Sequence, residues 1–377
     1  MNKLILFVLV LLGAGCKEKF ISPAPQVVTG FLVIEGVVNN DGGSTNLRLS
    51  RTTNLEDNSN VDEKGATVTL ENSNNSSLQL FESSDGHYTT GSLQLDTTLK
   101  YRLAIKTSNN EEYVSDFVTV KNNPPIDSIN WIRDNGLKLF INTHDPQNNT
   151  RYYQWEYEET WEFHSAYSST LKYITVNNLN TAVTPRDASD PAIYTCWQFN
   201  PSSSLILGSS AKLSQDVIHL PLLDIPAKSW KASVLYSVNV KQYSWSKEGY
   251  DFLERMKKNT ESVGTVFDAQ PSELNGNIRC ISNPNQPVIG FFNICTIREK
   301  RIFISNNQLL LWGYYPNCQE EIIENFPDSI IKKATGKLPT NIEKSSPFGG
   351  IITFLASTDD CVDCRIRGVN IKPPYWP

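Results

Sequence analysis

The sequence predicts a mostly β protein: one β-sandwich, then a second β-rich domain with one main helix and a disulfide-stapled C-terminal region. Three observations predict it. Short apolar runs alternate with Asn-, Asp-, Gly- and Ser-rich turns from about Val27 to Val120, the rhythm of antiparallel strands. RYYQWEYEETWEF (151–163) sets Tyr153, Trp155, Tyr157, Trp161 and Phe163 on one face by period two, and Gln154, Glu156, Glu158 and Glu162 on the other. Only one segment, beginning at Ser246, shows a convincing helical spacing.

The N-terminus reads MNKLILFVLVLLGAGCKEKF. Lys3 precedes an apolar run from Leu4 to Leu12, and Gly13, Ala14 and Gly15 precede Cys16. This is the layout of a secretory signal over residues 1–15. Its apolar helix would rise ~14 Å, too short for a hydrocarbon core of ~30 Å. A cysteine directly after small residues resembles a bacterial lipobox, with Leu12 one place early. Cys16 is therefore the expected lipidation site, followed by a polar tether (16–26). Acyl chains would hold the protein on a membrane, since each buried CH2 contributes ~0.8 kcal/mol.

The first domain, 27–121, carries seven strand candidates: FLVIEGVV (31–38), NLRLS (46–50), ATVTLE (66–71), SLQLF (77–81), HYTTG (87–91), YRLAIK (101–106) and EYVSDFVTV (112–120). Their number and spacing suggest an immunoglobulin-like sandwich. Asn122-Asn123-Pro124-Pro125 reads as an interdomain hinge, because consecutive prolines fix φ and remove amide donors.

The second domain, 126–377, is expected to be fibronectin-III-like. DSINWIR (127–133), GLKLFIN (136–142), LKYITV (171–176), SLILG (204–208), VIHLP (217–221) and KASVLYSVNVKQY (231–243) read as strands. SKEGYDFLERMKKNTESVG reads as the helix, capped by Ser246. The stretches FDAQPSELNGNIRC, NQPVIGFFNIC and KRIFISNNQLLLW are strand-like, and 320–326 and 328–333 suit short helices.

A formal charge of −6 argues against nucleic acid, which needs concentrated Lys and Arg. With Cys16 assigned to lipid, Cys196, Cys280, Cys295, Cys318, Cys361 and Cys364 remain. Six in an exported chain suggest disulfides, among fifteen possible pairings. Either Cys361 joins Cys364 in a tight loop or each reaches a separate strand. Cys280 and Cys295 flank an NPNQP turn and are expected to bridge, leaving Cys196 with Cys318.

No catalytic residue, cofactor or metal set is predicted. The four histidines are not at metal spacing, and HExxH, G-x-S-x-G and phosphate-loop motifs are missing. Glu156, Glu158 and Glu162 share one strand face, whereas glycosidase carboxylates flank a bond from opposite sides. Trp155 and Trp161 are candidates for a ligand platform, weighed against ordinary core packing.

Several stretches resemble a Bacteroidota outer-membrane lipoprotein family known as domain of unknown function 4249. They include LVIEG (32–36), KGATVTL (64–70), DGHY (85–88), the block 236–278, NPNQPVIGFF (283–292), KRIFI (300–304) and the ending CVDCRIRG with KPPYW. The ending departs from the pattern at Val369 and Pro374, and Cys295 is extra. Such proteins are commonly encoded beside TonB-dependent outer-membrane receptors. The resemblance therefore implies a non-enzymatic, lipid-anchored accessory or binding subunit of such a receptor, serving nutrient uptake. A free surface adhesin or glycan-binding lipoprotein is the alternative. Lys17-Glu18-Lys19 leaves the membrane face open. In that phylum Asp-Ser/Thr triplets are O-glycosylation contexts, which makes Thr97, Ser128 and Ser329 candidates.

Overall fold

The computed structural model describes residues 30–53, 61–261 and 274–377. The expected signal peptide (1–15) and the lipidated tether (16–26), Cys16 included, lie outside the described residues. The chain is mostly β, as predicted.

The first module starts with β1 (Leu32–Asn39), β2 (Thr45–Arg51), β3 (Val61–Asp62), β4 (Thr67–Asn72), β5 (Ser77–Ser84), β6 (His87–Thr90), β7 (Lys100–Lys106), β8 (Glu112–Ser115) and β9 (Val118–Thr119). Alternation sets the inward face: Tyr101, Leu103 and Ile105 of β7 are buried while Lys100 and Lys106 face water. Hydrogen bonding runs β8-β7-β4-β5-β6-β2-β1. The path folds over one core, because Leu32, Ile34, Leu47 and Leu49 pack in one cluster with Val68, Leu70, Leu103 and Ile105.

The second module has β10 (Ile126–Arg133), β11 (Gly136–Asp145), β12 (Tyr152–His164), β13 (Leu171–Val176), β14 (Leu179–Pro185), β15 (Thr195–Pro201), β16 (Ile206–Ser209), β17 (Asp216–Pro226) and β18 (Leu235–Ser244). The β10-β11-β17 sheet and a sheet centred on β12 and β18 share one core. Helix α1 (Lys247–Glu261) follows β18. The Ser246 hydroxyl accepts from the Gly249 amide at 3.1 Å and caps its start. Tyr250, Phe252 and Leu253 are buried against Tyr243 and Trp245.

The chain then returns to the first module, which corrects the expected boundaries of 27–121 and 126–377. β19 (Ile278–Cys280) pairs antiparallel with β8, and β20 (Ile289–Gly290) and β21 (Ile294–Cys295) pair parallel with β1. Gly290 (φ 145°) allows this approach, since a Cβ there would stand 2.5 Å from the Ile34 carbonyl oxygen. β22 (Arg298–Ser305) then pairs with β18.

The expected hinge is a locked joint. Asn123 is buried, and its side-chain amide donates to the Gln242 carbonyl at 2.6 Å. The buried Gln242 side chain donates to the Pro124 carbonyl at 2.9 Å and to Thr143 Oγ1 at 3.2 Å, and accepts from Trp155 Nε1 at 2.8 Å. Removing this amide orphans several buried groups, each costing ~1–3 kcal/mol. Gln242→Ala is expected to cost about 3 kcal/mol in denaturant unfolding and to raise amide exchange over 121–123. Unchanged exchange there would contradict a locked joint.

A third, smaller core is built by the β13–β14 hairpin with β23 (Glu321–Glu324), α2 (Pro327–Lys333), β24 (Lys337–Ser345) and β25 (Ile351–Thr358). The helix expected at 320–326 is corrected: Glu321–Glu324 pairs with β25, and Ile323 enters the core. The helix expected at 328–333 is present as α2. KRIFISNNQLLLW is strand only to Ser305.

Short helix α3 (Asp359–Val362) carries the first cysteine of CVDC. The bridges are Cys196–Cys364 and Cys318–Cys361, with Cα separations of 5.7 and 5.9 Å. Of the two readings of CVDC, each cysteine reaching a separate segment is the one observed. The expected pairs Cys280–Cys295 and Cys196–Cys318 are corrected. Cys280 and Cys295 are buried thiols on β19 and β21, strands that pair with β8 and β1 respectively. Complete burial pushes the Cys295 thiol up to about 12, so it stays protonated and inert in the folded chain.

Candidate functional site

The second module's large sheet has an inner face in the core and an outer face that other elements partly cover. Strand β12 sets both. Its odd positions Tyr153, Trp155, Trp161 and Phe163 point inward and are buried. The proposal that Trp155 and Trp161 form a ligand platform is therefore corrected: neither indole reaches the surface. Trp155 lies against Gly208, and Trp161 meets Trp230 edge-on at 5.3 Å.

Glu159 also falls on the inner face and is buried, a feature the sequence reading passed over. Its carboxylate accepts from Lys231 Nζ at 2.6 Å, Asn200 Nδ2 at 2.8 Å and the Tyr236 hydroxyl at 2.9 Å. Lys231 Nζ also lies 4.9 Å from the Trp161 ring centroid. Burial, with the Glu159 charge beside it, raises the Tyr236 phenol well above its ordinary value. This satisfied cluster ties β12, β15 and β18 to the 3-10 turn at Trp230–Ala232.

The outer face carries Gln154, Glu156, Glu158 and Glu162. At one end the C-terminal tail crosses it. Trp376 Nε1 donates to Glu162 at 2.8 Å, the Tyr375 hydroxyl meets Thr160 Oγ1 at 2.9 Å, and the Arg301 guanidinium lies 3.7 Å from the Tyr375 ring centre. At the other end stands helix α1, and the outward position Gln154, although buried, lines the same cleft as Met256 and Thr260 of that helix. Between them lies an open cleft of about 690 Å3. Glu156, Glu158, Asn239 and Lys241 form its floor, with Ser202–Ser204 on one wall and Met256 and Thr260 of α1 on the other.

The floor is a lattice of donors and acceptors. Glu156 accepts from the Tyr243 hydroxyl at 2.9 Å and from Gln154 Nε2 at 3.2 Å. Burial, then the Glu156 charge, raises the Tyr243 phenol strongly and keeps it a donor. Asn239 and Lys241 engage Glu299 at 3.2 and 3.7 Å. Glu158 is exposed and stands cross-strand from Asn239. Both carboxylates lie on one strand face, so they cannot straddle a bond in the cleft. Alternating acceptors and donors suit a polar, hydroxyl-rich ligand.

The remaining candidates are scattered. Thr97 is exposed beside Asp96, whose carboxylate accepts from Thr98 N and Oγ1 at 2.9 and 2.7 Å. Ser128 is half-buried and its hydroxyl accepts from Asn142 at 3.1 Å. Ser329 is buried in α2 and donates to Glu324 at 2.5 Å. A modifying enzyme cannot reach Ser329 in the folded chain, which corrects that candidate. Among the described residues, no three His, Cys, Asp or Glu groups gather at metal-binding distance.

Two solved structures are similar in part. The Yersinia pseudotuberculosis adhesin InvE shares 11% identity over 56% of this chain and 54% of that one, with a TM-score of 0.17. The chitinase ChiA74 from Bacillus thuringiensis shares 12% over 49% of this chain and 30% of that one, with a TM-score of 0.15. At such scores neither likeness bears on function. No curated protein matches the sequence. A family model does match, over residues 18–301, and stops short of the disulfide-bonded ending. The chain belongs to the family described as Domain of unknown function (DUF4249).

Proposed function

We propose that the chain is a non-enzymatic cell-envelope lipoprotein, anchored to an outer membrane through Cys16. Its role is that of a binding subunit of a TonB-dependent receptor engaged in nutrient uptake. The observation that carries this reading is the pair of long-range disulfides. Bridges closing loops of 168 and 43 residues persist in an oxidising compartment and not in a reducing cytosol. The signal-like N-terminus ending at Cys16 supports the same address. A lipid tether raises the effective concentration of the partner, so a modest interface suffices.

Cells fed a labelled fatty acid are expected to label the wild-type protein and to lose the label in Cys16→Ala. Purification from native membranes is expected to recover a barrel receptor. An unlabelled product, or repeated purification without a receptor, contradicts the corresponding half of the proposal.

The outer-face cleft favours a second reading, a glycan-binding lipoprotein or free adhesin. It predicts glycan-array binding by the isolated protein that weakens in Glu158→Ala.

A further inference from the structure

The chain that follows β22 makes an exposed apolar tip. After a 3-10 turn at Asn306–Leu309, Leu310 is 77% and Leu311 96% exposed, and Tyr315 is 87% exposed. Both leucines have positive φ, 22° and 55°, a region that residues other than Gly, Asn and Asp avoid. The geometry is held from behind. The Arg133 guanidinium, at the end of β10, donates to the carbonyls of Leu309, Leu310 and Leu311, the last at 3.1 Å. Trp312 is buried beneath, its Nε1 donating to the Ser229 carbonyl at 2.7 Å. Arg133 also lies over the Trp312 ring at 6.0 Å. The tip is thus built to point two leucines into solvent.

The charge around it differs from that of the acidic chain as a whole. Arg133 sits at the base, and the stem of exposed Lys228 lies 3.8 Å from where a Cβ of Gly313 would stand. Asp134 follows Arg133 in the chain, and Asp224 lies on the neighbouring strand β17. Asp134 is paired with Lys138 at 2.7 Å, and Asp224 stands opposite Lys138 in the β11–β17 register. Three cations, Arg133, Lys138 and Lys228, thus stand against these two carboxylates and leave an excess of one positive charge.

We propose that this tip contacts a lipid bilayer. Leu310 and Leu311 enter the boundary between headgroups and acyl chains, Tyr315 lies among the headgroups, and Lys228 faces anionic lipid. Apolar fingers backed by an aromatic and cations are the makings of an interfacial contact. The tip presents the protruding side chains of Leu310, Leu311 and Tyr315. A fluid surface accepts such a shape without the complementarity that a protein interface needs. The arginine clamp keeps the ordering cost of binding low. The inference rests on the envelope reading, which supplies the membrane.

The test uses the mature chain with Cys16→Ala, so that no acyl chain contributes. Co-sedimentation compares vesicles of phosphatidylcholine alone with vesicles containing phosphatidylglycerol. The parent is expected to partition onto both and to prefer the anionic ones. Leu310→Ser with Leu311→Ser is expected to lower partitioning at least about tenfold without changing the melting temperature. Lys228→Glu is expected to abolish the anionic preference. A parent that binds neither vesicle, or a double variant that binds like the parent, overturns the proposal. So does a double variant that keeps vesicle binding and loses only recovery of a receptor, since the tip is then a protein dock. Acylation and receptor recovery are read on the wild-type lipidated protein, so their failure is separable from failure here.

Discussion

Trp155→Ala is expected to lower stability by about 4 kcal/mol and the melting temperature by roughly 10 °C. Trp155 is completely buried and is the largest such side chain among the described residues. Its ring stacks on Tyr153 at 5.6 Å, and a Cβ on Gly208 would come within 2.8 Å of it. Truncation would leave a cavity that Gly208 cannot fill. Nε1 is also the donor to Gln242 Oε1 at 2.8 Å. Without it the joint to the first module keeps its other bonds and carries an orphaned acceptor. Trp155→Phe restores most of the volume and not the hydrogen bond, so its cost should fall to about 1–2 kcal/mol. Denaturant titration of the three proteins separates packing from bonding. A stable Trp155→Ala protein that loses ligand binding would mean that the indole is not the core element the fold requires.

How much of this was readable from the sequence depends on the element. Period two in 151–163 correctly divided β12 into a core face and a polar face. It could not foresee that Glu159 would be buried, because Lys231 and Tyr236, which satisfy it, come from positions more than 70 residues away. The return of 278–295 was illegible for a different reason. Two- and three-residue strands carry no periodicity, and only tertiary pairing defines them. EIIE at 321–324 is too short for its apolar spacing to separate helix from strand. QLLLW reads as a strand by composition, yet Leu310 and Leu311 turn outward because Arg133 captures their carbonyls. The outer-face cleft arises because α1 and the C-terminal tail settle on opposite ends of one sheet. Neither docking position follows from local pattern.

Cys364→Ser is expected to be the other severe change, because the Cys196–Cys364 bridge closes a loop of 168 residues. In the chain-entropy view such a loop contributes about 5 kcal/mol, and the 43-residue loop of Cys318–Cys361 about 4 kcal/mol. The consequences should be local as well as global. Cys196 lies on β15, the partner of β12, so this bond ties the chain's ending to the main sheet. Beyond it, Val369 and Trp197 exchange amide hydrogen bonds of 2.8 and 2.9 Å. A Cβ on Gly368 would come 2.5 Å from the Trp197 carbonyl oxygen, so the tail lies tight against β15. Losing the bond should therefore loosen Tyr375 and Trp376 from the outer face and expose Glu162. Cys361→Ser leaves this anchor intact and should disturb the third core more than the tail. Hydrogen exchange read over the tail distinguishes the two variants. Thiol counting tests the connectivity itself. Among the six cysteines after Cys16, unfolding without reductant should release Cys280 and Cys295 alone, and reductant should add the other four. Six reactive thiols without reductant would remove the crosslinks, and with them the strongest reason to place the chain outside the cytosol.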